Sequence, residues 1–174
     1  MEGVGGYGLT AHLRPGLIAG AAVLALDQAS KLWLLFVFDL AAHRDAVRLA
    51  PFLDLMLTWN PGISFGWFQS DSQLAQIALM LVKAVAVIVL AVWMARSRTL
   101  LATVGLGMII GGAVGNAIDR FAYGAVVDFA LFHVTIGGNT YNWYVFNLAD
   151  VAIVAGVAAL LYDSFVGVPA AKAP

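Results

Sequence analysis

The chain has 174 residues, of which 62% are hydrophobic and 11% charged, and its formal net charge is -1. Soluble domains carry roughly 25% charged residues, so this composition excludes an ordinary water-soluble domain. With no basic stripe to neutralise phosphates it also excludes a nucleic-acid partner. The absence of cysteine excludes disulfides, thiol nucleophiles, thiolate metal sites and lipidation on the chain's own cysteine.

A membrane-spanning helix needs about 20 mostly apolar residues. Four stretches meet this: about Leu17–Phe38, Leu74–Met94, Leu100–Ile118 and Tyr144–Val166. The first resembles a secretory signal, with Arg14 as its basic region, but the apolar run resumes after Lys31 and reads as an uncleaved span. Between the second and third stretches lies only Ala95-Arg96-Ser97-Arg98-Thr99, and two arginines in so short a turn predict a cytoplasmic location. Arg14 and Lys172 then fall on the same side, so both termini are expected in the cytoplasm, whereas Arg44, Arg48 and Arg120 stay outside. Residues 1–167 are expected to form a single domain, and 168–174 a disordered cytoplasmic tail.

Two stretches outside the spans are long enough for structure. Asp39–Gln73 holds a strand-like run, Phe52-Leu53-Asp54-Leu55-Met56-Leu57-Thr58-Trp59, that ends in a turn at Asn60-Pro61-Gly62. Phe121–Trp143 holds a hairpin-type turn at Gly137-Gly138-Asn139 between β-branched and aromatic residues. A small outer sheet is expected from these pieces.

Charged groups inside a bilayer cost about 2.5 kcal/mol or more, so each is a candidate for function. Asp27 and Lys31 share a helix face and can pair, about 15 and 21 Å along from Leu17. A structural ion pair is the favoured reading. Gly107, Gly111 and Gly115 form a stripe, with Gly112 beside it, that lets helix backbones approach closely and aims Asn116 and Arg120 into the bundle. Taken alone, Arg120 at the outer boundary reads as a snorkelling residue. Asp119 can pair with Arg120 or with another helix. Lys83, midway along the second span, reads as a snorkelling side chain or half of a buried pair. A span beginning at Tyr144 places Asp150 about 9 Å inside with Asn147 on the same face. Asp128 follows the third span at the same level, where a solvated loop carboxylate is the bland alternative. His12, His43 and His133 lie far apart with no metal-ligand spacing, and their placement reads as chance; neither metal nor cofactor is expected.

Two carboxylates that meet at one membrane boundary suggest a shared proton and an activated water, the chemistry of an aspartyl hydrolase. A proton-coupled transporter uses similar residues, but near the midplane and usually on repeated broken helices. A non-catalytic scaffold would leave Asp150 unexplained.

The series Leu26-Asp27-Gln28-Ala29-Ser30-Lys31, Asn60-Pro61-Gly62-Ile63-Ser64-Phe65-Gly66, Gly111-Gly112-Ala113-Val114-Gly115-Asn116-Ala117-Ile118-Asp119-Arg120, Val126-Val127-Asp128-Phe129 and Phe146-Asn147-Leu148-Ala149-Asp150 resembles bacterial lipoprotein signal peptidase, signal peptidase II, in family order. The resemblance implies an all-α membrane fold of four transmembrane helices with a small extracytoplasmic β-cradle and a short lid helix near Ile63–Phe68. It implies an inner-membrane aspartyl endopeptidase that cuts prolipoproteins just before a diacylglyceryl-modified cysteine, with its site near the outer face. Asp128 and Asp150 match the catalytic pair. Asn60, Asn116, Arg120 and Asn147 match residues that line the site or hold substrate, and Asp27 with Lys31 match a supporting pair. Membrane lipids and globomycin-like peptide inhibitors are implied partners. Ser64 stands where the family commonly has alanine, and the connection from Asp128 to Asp150 is somewhat long.

Overall fold

A computed structural model of the protein describes residues 12–43, 45–62 and 73–166, with the side chains of 73–80 outside that description. The expected lid segment and tail lie outside the described residues. The chain runs through helix α1 (Leu13–Phe36), strands β1 (Val47–Ala50) and β2 (Leu53–Asn60), helices α2 (Gln73–Arg96) and α3 (Leu100–Tyr123), strands β3 (Val126–Ile136) and β4 (Asn139–Phe146), and helix α4 (Leu148–Val166). By length and composition α1, α3 and α4 can each cross a membrane. Their outward faces carry Leu17, Ile18, Leu26, Val151, Val154 and Leu161, apolar side chains left exposed where lipid would solvate them.

α3 is the central helix and packs against α1, α2 and α4. The glycine stripe explains how. A Cβ on Gly107 or Gly111 would collide with the backbone carbonyls of Gly16 and Gly20 in α1, and one on Gly156 would lie 2.5 Å from the Gly105 carbonyl. The expected close approach is therefore present, and α1 and α4 join it with glycines of their own. Thr99 caps the start of α3 by accepting from the Ala102 N–H at 3.1 Å, and Gly124 ends it in a left-handed turn at φ 75°. The sequence reading ended this helix at Ile118. It continues one and a half turns further, so Asn116, Asp119 and Arg120 are all helical.

The four strands form one antiparallel sheet in the order β1-β2-β3-β4. The expected hairpin at Gly137-Gly138 has both glycines at positive φ, 58° and 82°, which a two-residue turn of this kind requires. The fourth span is shorter than predicted. Tyr141, Asn142, Tyr144 and the residues up to Phe146 belong to β4, because an aromatic and β-branched run pairs better with β3 than it coils. Helix α4 starts only at Leu148, which moves Asp150 from about 9 Å inside to the first turn. Leu34, Leu40 and Leu55 are buried with Phe38, Val47, Leu57 and Phe129 around them, and this small core fastens the sheet to the end of α1.

Candidate active site

The tight turn at Gly124 returns the chain from α3 directly into β3, and the Val127 N–H donates to Asp119 Oδ2 at 3.1 Å to hold that return. Asp128 thus lies beside the last turns of α3. It is 2% exposed, within a strand, so it is not a solvated loop carboxylate. Asn60 is paired with Val126 across the β2–β3 ladder, which makes Asn60 and Asp128 diagonal neighbours on one face. Asn60 Nδ2 donates to Asp128 Oδ2 at 3.0 Å, while its Oδ1 accepts from the Gly62 N–H at 2.8 Å and shapes the turn.

Asn147 is the N-cap of α4. Its Oδ1 accepts from the Asp150 N–H at 3.0 Å, and Asp150 Oδ2 accepts from the Asn147 N–H at 3.2 Å. This is a reciprocal capping box with Asn and Asp in place of the usual Ser/Thr and Glu. Asp150 therefore has a structural task that the sequence reading did not find. The same Asn147 donates from Nδ2 to Asp128 Oδ1 at 2.7 Å and to Asn116 Oδ1 at 3.0 Å. Asn116 Nδ2 in turn donates to Asp150 Oδ1 at 2.9 Å. One asparagine thus touches both carboxylates, and a second holds the free oxygen of Asp150.

Burial pushes the Asp128 carboxyl up to about 6; the Asn60 hydrogen bond opposes this, the nearby Asp150 charge adds to it, and the Asn147 bond and the Lys31 charge oppose it. A carboxyl in that range holds or releases a proton near neutrality, which suits acid–base work.

A second polar cluster adjoins the first. Lys31 Nζ lies 2.8 Å from Asp27 Oδ2, 2.7 Å from Asp119 Oδ2 and 3.0 Å from Asn116 Oδ1. The predicted Asp27–Lys31 pair is present, and the open question about Asp119 is resolved in favour of another helix. Asp27 Oδ1 accepts from the Ala149 N–H at 3.0 Å, so it also caps α4 from α1. Gln28, not singled out from sequence, donates to Asp119 Oδ1 at 3.0 Å and to the Gly115 carbonyl at 3.2 Å. A polar side chain in the middle of a span beside Asp27 was the signal that could have found it.

Arg120 is half-buried rather than reaching away from the bundle. Its Nη1 donates to the Asn116 carbonyl at 3.0 Å, and its Nε has no partner among the described residues. A Cβ on Gly62 would stand 3.1 Å from that Nε, so Arg120 lies under the Asn60-Pro61-Gly62 turn. Away from the site, His133 is buried in β3 with Nε2 3.2 Å from Asp54 Oδ2.

With this geometry in place, likeness to known proteins has something to explain. Residues 19–166 match the family model described as signal peptidase (SPase) II. The chain belongs to the signal peptidase II family. It is 70% identical over 162 residues to a lipoprotein signal peptidase of Nitrobacter hamburgensis, covering 93% of this chain and 98% of that one. It is 64% identical over 162 residues to a lipoprotein signal peptidase of Rhodopseudomonas palustris, with the same coverage. A solved bacterial membrane enzyme shares the fold with a TM-score of 0.68 at 24% identity, covering 88% of this chain and 94% of the other. Membership makes the protein an aspartic peptidase, a hydrolase, and the apolar helices fit a multi-pass membrane protein.

Proposed function

We propose that the chain is a membrane-embedded endopeptidase that removes the signal peptide from diacylglyceryl-modified prolipoproteins, cutting just before the lipidated cysteine. The observation that carries this is the bridge through Asn147, which holds Asp128 and Asp150 to one another by amide donors and, among the described residues, no cation. Two close carboxylates cannot both ionise cheaply, so the pair keeps one proton between them. Burial favours Asp128 as the protonated member. Asp150 then takes a proton from the attacking water while Asp128 donates to the carbonyl oxygen; the resulting diol collapses as the proton passes to the leaving nitrogen. A substrate that fills the site removes more water and raises the Asp128 carboxyl further.

Asn60, Asn116 and Asn147 orient the pair, Arg120 holds substrate beside it, and Asp27 with Lys31 keeps α1 against α3 and α4. On this reading residues 1–167 form one domain, α2 is a fourth span, both termini are cytoplasmic, and the sheet and dyad face the outside. Both carboxylates belong to the sheet end of the bundle, one in a strand and one in a first helical turn, which favours a peptidase over a midplane transport site. Globomycin-like peptides should compete with substrate.

Purified protein incubated with a diacylglyceryl-modified prolipoprotein should yield the shorter mature form on a gel, and the unmodified precursor should stay intact. Equal cutting of both precursors would contradict the substrate assignment. Reporter fusions at the Ala95–Thr99 turn should read cytoplasmic, and fusions at Gly138 external; the reverse would put the dyad on the wrong side.

A further inference from the structure

Lys83 has no part in the chemistry above, yet its position is not that of a lipid-facing residue. Along the described side chains of α2 the less exposed positions are Lys83, Val87, Leu90, Ala91, Met94 and Ala95, spaced four, three, one, three and one apart, while Val82, Val85, Ile88, Val89 and Val92 are exposed. Those six less exposed residues mark one helical stripe, and α2 packs on α3. A snorkelling lysine would stand among the exposed residues. Lys83 stands on the packed stripe instead.

There it lines a cavity of about 710 Å³ together with Arg120, Asn116, Val87, Ala113 and Ile153. The volume is that of a small-ligand site. The walls are mostly apolar, so two cationic side chains on one cavity call for an occupant that carries negative charge. The cavity also adjoins the dyad: Asn116 bonds to Asp150, Arg120 bonds to the Asn116 carbonyl, and Ile153 lies one turn beyond Asp150 in α4.

Peptide hydrolysis makes such an occupant at that spot. Water's hydroxyl goes to the carbonyl carbon and its hydrogen to the nitrogen, and after ionisation the upstream fragment ends in a carboxylate and the downstream one in an ammonium. The new carboxylate arises beside a dyad that carries negative charge itself, so it is repelled unless cations flank it on the far side. Arg120 is one cation on that cavity, next to Asn116 and through it to Asp150. Lys83 is the additional cation.

We infer that Lys83, with Arg120, forms a receptor for the new C-terminal carboxylate of the released signal-peptide fragment, a product site that sets how tightly that fragment is retained. The inference rests on the peptidase reading. It makes the cleaved apolar peptide acid an inhibitor, with its terminal carboxylate as the recognised group.

The test uses the full chain in detergent and a short apolar peptide matching the upstream side of a cleavage site, prepared as free acid and as C-terminal amide. The wild type should bind the acid about tenfold or more tightly than the amide, with the preference weakening as salt is raised. Lys83→Met should erase most of the preference and Lys83→Arg should restore it, with melting temperatures recorded for both variants. Equal binding of acid and amide to the wild type overturns the inference, whatever the variants do. So does a folded Lys83→Met protein that keeps the full preference, since Arg120 would then suffice. Cleavage of prolipoprotein by the same wild-type sample is scored in parallel. If cleavage occurs without an acid preference the product site fails alone, and if cleavage is absent the peptidase reading fails first.

Discussion

Two carboxylate pairs lie side by side at the sheet end of the bundle, and they are held in opposite ways. Asp27 and Asp119 share the Lys31 ammonium, and every oxygen of the two has a donor: Lys31, Gln28, the Ala149 N–H or the Val127 N–H. Among the described residues Asp128 and Asp150 are held only by neutral amides, from Asn60, Asn116 and Asn147. A cation fixes a buried carboxylate as an anion, which suits a scaffold. Amide donors leave the charge state open, and only such a pair can pass a proton back and forth. Burial alone does not separate Asp128 from the first pair, since Asp27, Asp119 and Asp128 are all 2% exposed or less, while Asp150 is partly exposed. The identity of the donor does.

The sharpest way to break this contrast is to remove the proton carriers. Asp128→Asn and Asp150→Asn should each lower prolipoprotein cleavage by about a thousandfold or more while the protein still melts cooperatively, because the change removes acid–base function and little shape. Asn at position 150 can still accept from the Asn147 N–H, so the capping box persists. Substantial cleavage by either folded variant would refute the assignment.

Next in size is the scaffold. Lys31→Met strands two buried carboxylates and should destabilise by about 3–5 kcal/mol. Adding Asp27→Asn should return part of that loss but not all of it, because Asp119 stays uncompensated; strict additivity in a double-mutant cycle would refute the coupling. Melting in detergent measures both.

A third test uses pH. Asp128 is raised to about 6 in the folded protein from an ordinary 3.8, the reverse of the usual carboxylate case. The folded state then holds the proton more tightly than the unfolded chain does. The contribution is fully present below about 4 and is lost as pH rises through about 6. Asp128→Asn should flatten that slope. In the wild type kcat/KM should fall with rising pH, with a midpoint at about 6 or above. A stability that rises across this window and is unaffected by Asp128→Asn would contradict the charge assignment.

The smallest effect is expected at Gln28. Gln28→Ala removes donors from Asp27 and Asp119 that Lys31 and backbone N–H groups partly replace, so it should cost about 1 kcal/mol in melting and leave turnover nearly unchanged. A turnover loss far beyond the melting loss would join the two clusters into one functional unit.

The sequence revealed some of this contrast and hid the rest for physical reasons. Gly107, Gly111 and Gly115 at four-residue spacing announced the close approach of α3, because a stripe of missing Cβ atoms has one main use in a bundle. Gly137-Gly138 announced the hairpin, because few residues tolerate two positive φ values in succession. The ends of the spans were less legible. Tyr144 to Phe146 are as apolar as a helix start, and only pairing with β3, a long-range contact, assigns them to a strand. That shift also concealed the Asn147–Asp150 capping box. Asp119 was ambiguous because sequence adjacency offers Arg120 as a partner, while its actual partner, Lys31, sits 88 positions earlier on α1. Lys83 offered only a snorkelling or buried-pair reading until packing placed it on a shared cavity with Arg120.

The central claim is that a single exchangeable proton resides on the Asp128–Asp150 pair. Infrared difference spectra of carboxyl-labelled protein in detergent, taken between about pH 5 and about pH 8, read this directly as a protonated-carboxyl band. The band should be present in the wild type, vanish in Asp128→Asn and persist in Asp119→Asn. A band that survives in Asp128→Asn, or that disappears only in Asp119→Asn, would contradict the account.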